Sequence, residues 1–268
     1  MISMPSVKLL KQSLLLCSTL ILLASCATRM RIPEDLEPER LLPAGAMAYL
    51  RVNPSNVPDL FLPLIESYGI AQTDDLIKRT ESMVLAVMAS NVFTDGGSNR
   101  ESGGESERAA VYAVASGKYP TRSIALKLKT DRLWIREAPG WVHKEAGFRL
   151  ALSSQGQIIL GTRSLEPFLP MSHDRPHPVP EFWHTAWYND LAVFIPDPLS
   201  SQGMAHSLPF DLSGMPLESM MVSIRRIDSQ YDIYLGFEFD TERTALVFAP
   251  LCRLFLYGIT RSLWPDQA

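Results

Sequence analysis

The stretches ESMVLAVM at residues 81–88 and ESMMVSIRRI at 218–227 decide the fold of this 268-residue chain. Glu81-Ser82-Met83-Val84 is matched by Glu218-Ser219-Met220-Met221, and each quartet opens an apolar run with the character of a strand. A second strand follows each: VYAVASGKYPTRSIAL from Val111 and IYLGFEFDTERTALV from Ile233, both leading into a helix with an arginine near its start, Arg122 and Arg243. Upstream, AMAYLRVNP (46–54) and DLAVFIPDP (190–198) are both apolar strands stopped by proline. Such self-similarity marks a duplicated unit. Strand–helix–strand pieces joined by hairpins predict an α+β fold, mostly antiparallel sheet with helices packed on one face, in two degenerate copies of a β-(α)-β-β-α unit. The copies differ in spacing mainly through TDGGSNRESGGESE at 94–107, which has no apolar residue and is expected to be a surface hairpin loop.

Working outward, Ser55 or Asn56 can cap a helix whose Val57, Leu60, Phe61, Leu64 and Ile65 recur at three and four residues. A short helical piece is expected over 74–79, and a helix near Pro120-Thr121. Short alternating segments from 134 to 162, punctuated by glycine, predict an antiparallel meander that extends the first copy. Ser164 can cap a short helix through Leu169. Strands are expected at 191–195, 217–227 and 231–239, the last two joined across Asp228-Ser229-Gln230. Within 241–259 the 15 residues from Ala245 to Ile259 are intensely apolar, but they include Pro250 and Arg253 and are too few for a comfortable membrane span, which needs roughly 20 residues. The stretch 241–259 is expected to be a helix packed under the sheet, capped by Asp240 or Thr241.

The first 26 residues carry a different signal. Lys8 and Lys11 precede the apolar run SLLLCSTLILLASC (13–26), and no acidic residue appears before Glu34. A basic start, a short apolar run and small residues before a cut site compose a secretory signal peptide. Its end, Leu23-Ala24-Ser25-Cys26, resembles the lipobox of bacterial lipoprotein precursors. That resemblance implies removal of residues 1–25, a diacylglyceryl group on the Cys26 thiol and acylation of the new amino terminus. It covers only this leader, and the family of the remaining chain is not recognised. Ala27 and Thr28 follow, with no aspartate, which in bacteria with two membranes implies the outer membrane rather than the inner, the domain lying in the periplasm or at the surface. Two or three acyl chains make a stable anchor where one does not.

The divisions expected are a tether at 26–43, a first repeat with its meander at 44–170, a proline-rich and aromatic connection at 171–188, and a second repeat at 189–263. The composition is that of a globular protein, 46% hydrophobic and 20% charged, with formal net charge −4. This mild acidity lacks the electrostatic footprint of a nucleic-acid binder. With Cys26 acylated and Cys17 removed with the leader, Cys252 is the remaining thiol, expected to be buried and inert.

Chemistry is sparse. His173, His177 and His184 lie near Asp174 and Glu181 and are weak candidates for zinc, but they sit in a proline-rich stretch without a ligand spacing known for metals. His143 and His206 stand apart. No Gly-x-Ser-x-Gly elbow, Walker loop or Gly-x-Gly-x-x-Gly occurs. No cofactor is implied. Trp183, Trp187 and Tyr188, with Phe182, form a dense aromatic group suited to a seam between the halves or to a partner surface. The reading is a lipid-anchored envelope protein with a structural or protein-binding role, its partners the membrane and an envelope protein. The alternatives are a lipoprotein that binds a small ligand or metal through 173–188, and an envelope hydrolase with a dispersed site.

Overall fold

The computed structural model describes residues 37–59, 77–89, 109–137, 140–153, 156–165, 176–198 and 216–263. The strands are β1 (Ala48–Val52), β2 (Thr80–Met88), β3 (Ala110–Gly117), β4 (Trp134–Glu137), β5 (Gly140–His143), β6 (Arg149–Leu152), β7 (Ile158–Gly161), β8 (Leu191–Ile195), β9 (Leu217–Ile227) and β10 (Gln230–Phe239). They form one sheet in the order β10-β9-β8-β1-β2-β3-β7-β6-β5-β4, antiparallel at every pairing. Helices among the described residues include α1 (Thr121–Thr130), the single turn α2 (His184–Trp187) and α3 (Glu242–Leu263). The fold is α+β, as the strand-rich, hairpin-linked sequence requires.

The strand registers obey a two-fold relation. Val52 faces Met83, and Ile195 faces Met220. Because Met83 and Met220 hold matched places, Val52 answers to Ile195, Tyr49 to Ala192 and Arg51 to Phe194. In the central β1–β8 pair, Tyr49 faces Phe194 and Arg51 faces Ala192, so the relation exchanges these two pairs and leaves Leu50–Val193 on the axis. Even the irregularities repeat. In the first copy, Thr80↔Gly117 is followed by Ser82↔Ser116, skipping Glu81. In the second, Leu217↔Phe239 is followed by Ser219↔Glu238, skipping Glu218. The matched Glu-Ser-Met motif therefore marks a β-bulge, where one extra residue bends the strand.

One face of the sheet forms the core. Alternation places Tyr49, Val84, Ala86, Met88, Tyr112, Val114, Ile159, Ala192, Phe194 and Met221 on that face, each 3% exposed or less. Leu41, Val57, Leu165, Val179 and Trp187 are buried with them. On the opposite face Leu50, Leu85, Val87, Val193, Val222 and Ile224 remain half-buried.

Several boundaries differ from the sequence reading. The β9–β10 turn is two residues, Asp228-Ser229, and Asp228 adopts the positive φ of 55° that so tight a turn favours. Pro120 precedes α1 rather than opening it. Thr241 is the cap of α3, its hydroxyl oxygen accepting the Thr244 N–H at 3.2 Å. The segment 38–42 is not free tether. Pro38–Leu41 is a 3-10 turn whose Leu41 is fully buried, as are Leu42 and Glu39 almost entirely, because the two leucines fill the core and an arginine receives the carboxylate. The expected helix beyond residue 59, the loop at 94–107 and the helix at 166–169 lie outside the described residues.

α3 touches the sheet through Phe248, whose ring stacks on Phe239 at 5.8 Å. Its other side was expected to pack and does not: Leu246, Val247, Leu251, Leu254 and Tyr257 are 48–70% exposed. No helix among the described residues is long and apolar enough to cross a membrane.

Candidate functional site

The sequence-predicted residues converge in part. Trp183 and Trp187 are buried at 6% and 0% exposure, so both indoles belong to the interior; Tyr188 alone of the three meets solvent. The Trp183 ring covers Gly236 of β10, whose missing side chain makes the room, and its N–H donates to the Ser219 hydroxyl at 3.1 Å. Ser219 in turn donates to the Glu238 carboxylate at 2.5 Å. Asn189 reaches the other buried serine of β9, donating to Ser223 at 2.9 Å.

His177 and His184 come together with ring centroids 4.4 Å apart; His173 lies outside the described residues. His177 Nδ1 lies 2.9 Å from the Val179 carbonyl oxygen and 3.1 Å from its amide nitrogen, while His184 Nε2 lies 3.0 Å from the same carbonyl. The proline-flanked segment thus folds its own imidazoles back onto its backbone. His177 Nε2 and Trp187 Nε1 are buried without a partner. Tyr188 lies beside both imidazoles.

Two residues the sequence reading passed over complete the cluster. Arg51, on the core-facing phase of β1, places its Nε 3.3 Å from Glu39 and donates from Nη1 to the Asn189 carbonyl at 3.1 Å. Its guanidinium also stands over the Tyr188 ring, 4.9 Å from the centroid. A lone arginine in phase with Tyr49 in an otherwise apolar strand was the available signal, since a charge on a core face requires a partner. The cluster joins the segment at 38–42, β1 and the connection that precedes β8.

Chemically the arrangement offers no activated nucleophile. Glu39 is committed to Arg51, and among the described residues no three His, Cys, Asp or Glu side chains meet as a metal site would need. Cys252 is half-buried, and burial pushes its thiol pKa up, away from the reactive thiolate.

His177 gives the cluster a pH dependence. Desolvation by burial lowers its pKa; the Val179 contact raises it, neighbouring His184 lowers it further, and Glu39 and Glu37 oppose that with weaker attraction. A ring whose folded pKa lies below its unfolded value of about 6.5 stabilises the fold above that pH and loses the contribution as pH falls towards the folded pKa. Denaturant unfolding between pH 7.5 and 4.5 should therefore show stability falling with acid, by at most about 1.4 kcal/mol per pH unit from this group. A His177→Phe variant should have a shallower slope, and an unchanged slope would remove His177 as its source.

No protein-family model matches the chain, and no curated protein matches it. Solved structures do. Three crystal forms of TP0453, a Treponema protein, superpose on it. Form III gives a TM-score of 0.56 at 15% identity, covering 82% of this chain and 88% of that one. Form I gives 0.54 at 16% identity over 78% and 81%, and form IV gives 0.53 at 16% over 76% and 81%. The likeness is one of fold. It extends over most of both chains.

Proposed function

We propose that this chain is a lipid-anchored protein of the bacterial cell envelope, held at the outer membrane through Cys26, with a non-catalytic role at the membrane surface. The observation that carries the reading is the outward stripe of α3. Leu246, Val247, Leu251, Leu254 and Tyr257 recur on one side of the helix and are left to solvent, where a freely soluble domain would gain by burying them. By helical spacing Arg243 stands at the N-terminal end of that stripe and Arg253 at its edge, and no acidic residue follows Glu242 before Asp266. An apolar stripe edged by arginines suits a helix lying in a bilayer interface, its cations reaching the head groups.

A fluorophore on Leu254→Cys, in a Cys252→Ser background of the full lipidated chain reconstituted in phosphatidylethanolamine–phosphatidylglycerol vesicles, tests the stripe. Nitroxide-labelled lipids should quench it strongly. The same fluorophore on Ser229→Cys, in the β9–β10 turn, serves as reference. Equal quenching at both positions, or none at Leu254, would overturn a membrane-facing α3.

A further inference from the structure

β10 ends the sheet, and its outer edge carries no strand among the described residues. Residues 230–234 are exposed, with Ile233 at 54% and Tyr234 at 47%. An open strand edge is a row of backbone donors and acceptors ready to pair. The internal two-fold says what belongs there. β10 answers to β3: Gly236 faces Met221 as Val114 faces Val84, and Leu235 faces Val222 as Ala113 faces Leu85. In the first copy that outer edge is occupied. β7 lies along it antiparallel, with Gly161, Leu160, Ile159 and Ile158 facing Tyr112, Ala113, Val114 and Ala115. The corresponding stretch of β10, Tyr234 to Phe237, is open.

A near copy of the missing strand's sequence, three residues of four, is present in β10 itself. β7 reads Ile158-Ile159-Leu160-Gly161, and β10 contains Ile233-Tyr234-Leu235-Gly236. Setting a second copy's Ile233–Gly236 in the place of Ile158–Gly161 puts its Gly236 opposite Tyr234, its Leu235 opposite Leu235, its Tyr234 opposite Gly236 and its Ile233 opposite Phe237. Exchanging the copies returns Leu235–Leu235 to itself, turns the Gly236–Tyr234 pair into the Tyr234–Gly236 pair, and returns the fourth as Phe237 opposite Ile233. Antiparallel pairing of a strand with its own copy is two-fold by construction, and the register borrowed from β3–β7 places the dyad at Leu235. We infer that β10 pairs antiparallel with β10 of a second copy, with Leu235 on the dyad, joining two sheets into one.

The same register sets Asp232 opposite Glu238 of the second copy, a repulsive pair. Within each copy Arg225 faces Asp232 across β9, and Glu238 is already bonded to Ser219, so both carboxylates have counterparts. The inference is independent of the lipid anchor and of α3, since it draws only on strand register.

Facing residues in an antiparallel sheet lie at Cα separations of about 4.5–5.5 Å, within the range a disulfide spans. The test uses the full chain in mild detergent with Cys252→Ser as parent. Under oxidation Leu235→Cys should link into dimers, while Ile233→Cys alone and Phe237→Cys alone should not, and a mixture of those two should. Sedimentation of the parent should show a monomer–dimer equilibrium, and Ile233→Lys, at an exposed position, should weaken it at least about tenfold with melting unchanged. Dimers of Leu235→Cys no more abundant than those of the parent would overturn the inference. So would linking of Ile233→Cys alone as readily as Leu235→Cys, or a parent monomeric at all concentrations, which would leave the edge to a strand from another protein.

Discussion

A Cys26→Ser variant should lack the two or three acyl chains of the native protein and keep residues 1–25, so that the two proteins differ in intact mass by both. The effect is the largest expected because it is nearly all-or-none. Each buried methylene contributes about 0.8 kcal/mol, so two or three chains hold a domain that one would release. The serine hydroxyl cannot take the thioether, and residues 1–25 should then stay attached. Intact mass and detergent partitioning of the two proteins, side by side, decide it. A native protein that keeps its first 25 residues, or partitions into water unmodified, would end the lipoprotein reading.

The second large effect is on the fold itself. Replacing Arg51 by methionine should destabilise the protein by about 3–5 kcal/mol, since it leaves a buried carboxylate without its partner. Glu39 is 4% exposed, and the Arg51 side chain 12%. The same change also removes the donor to the Asn189 carbonyl and the cation over Tyr188. Removing both charges together, Glu39→Leu with Arg51→Met, should recover most of the loss, because an apolar pair of similar volume is often as stable as a buried ion pair. Urea unfolding of the two singles and the double gives the coupling directly. Additive losses in the double variant would show that the pair is not what holds residues 38–42 to β1.

The duplicated unit was legible because its signal is local and repeated. The alignment of Val111 with Ile233, made from letters alone, is the equivalence that the strand registers return. The meander and the β9–β10 hairpin were legible because alternation and turn residues act over a few positions. What escaped depends on distant partners. Glu39 reads as one more charge in a mixed tether, and only Arg51 and the core beside Leu41 make it interior. Trp183 and Trp187 could equally have faced a partner; Gly236, 53 positions away for Trp183, provides the space that decides the matter. The apolar run of α3 implied burial, and period alone could not say that one stripe would stay in water.

The central joint also fixes an order of events. Tyr49 can meet Phe194 only when nearly three quarters of the chain has been made or exported. Until then β1 is itself a bare edge, and β2, β3 and the meander can assemble beside it without closing the sheet. Pairings that wait on so distant a segment are slow, and the waiting edge is the one open to wrong partners. The vulnerable species of this protein is therefore a half-built sheet, and a factor that shields β1 during synthesis would govern yield more than one that acts on the finished domain.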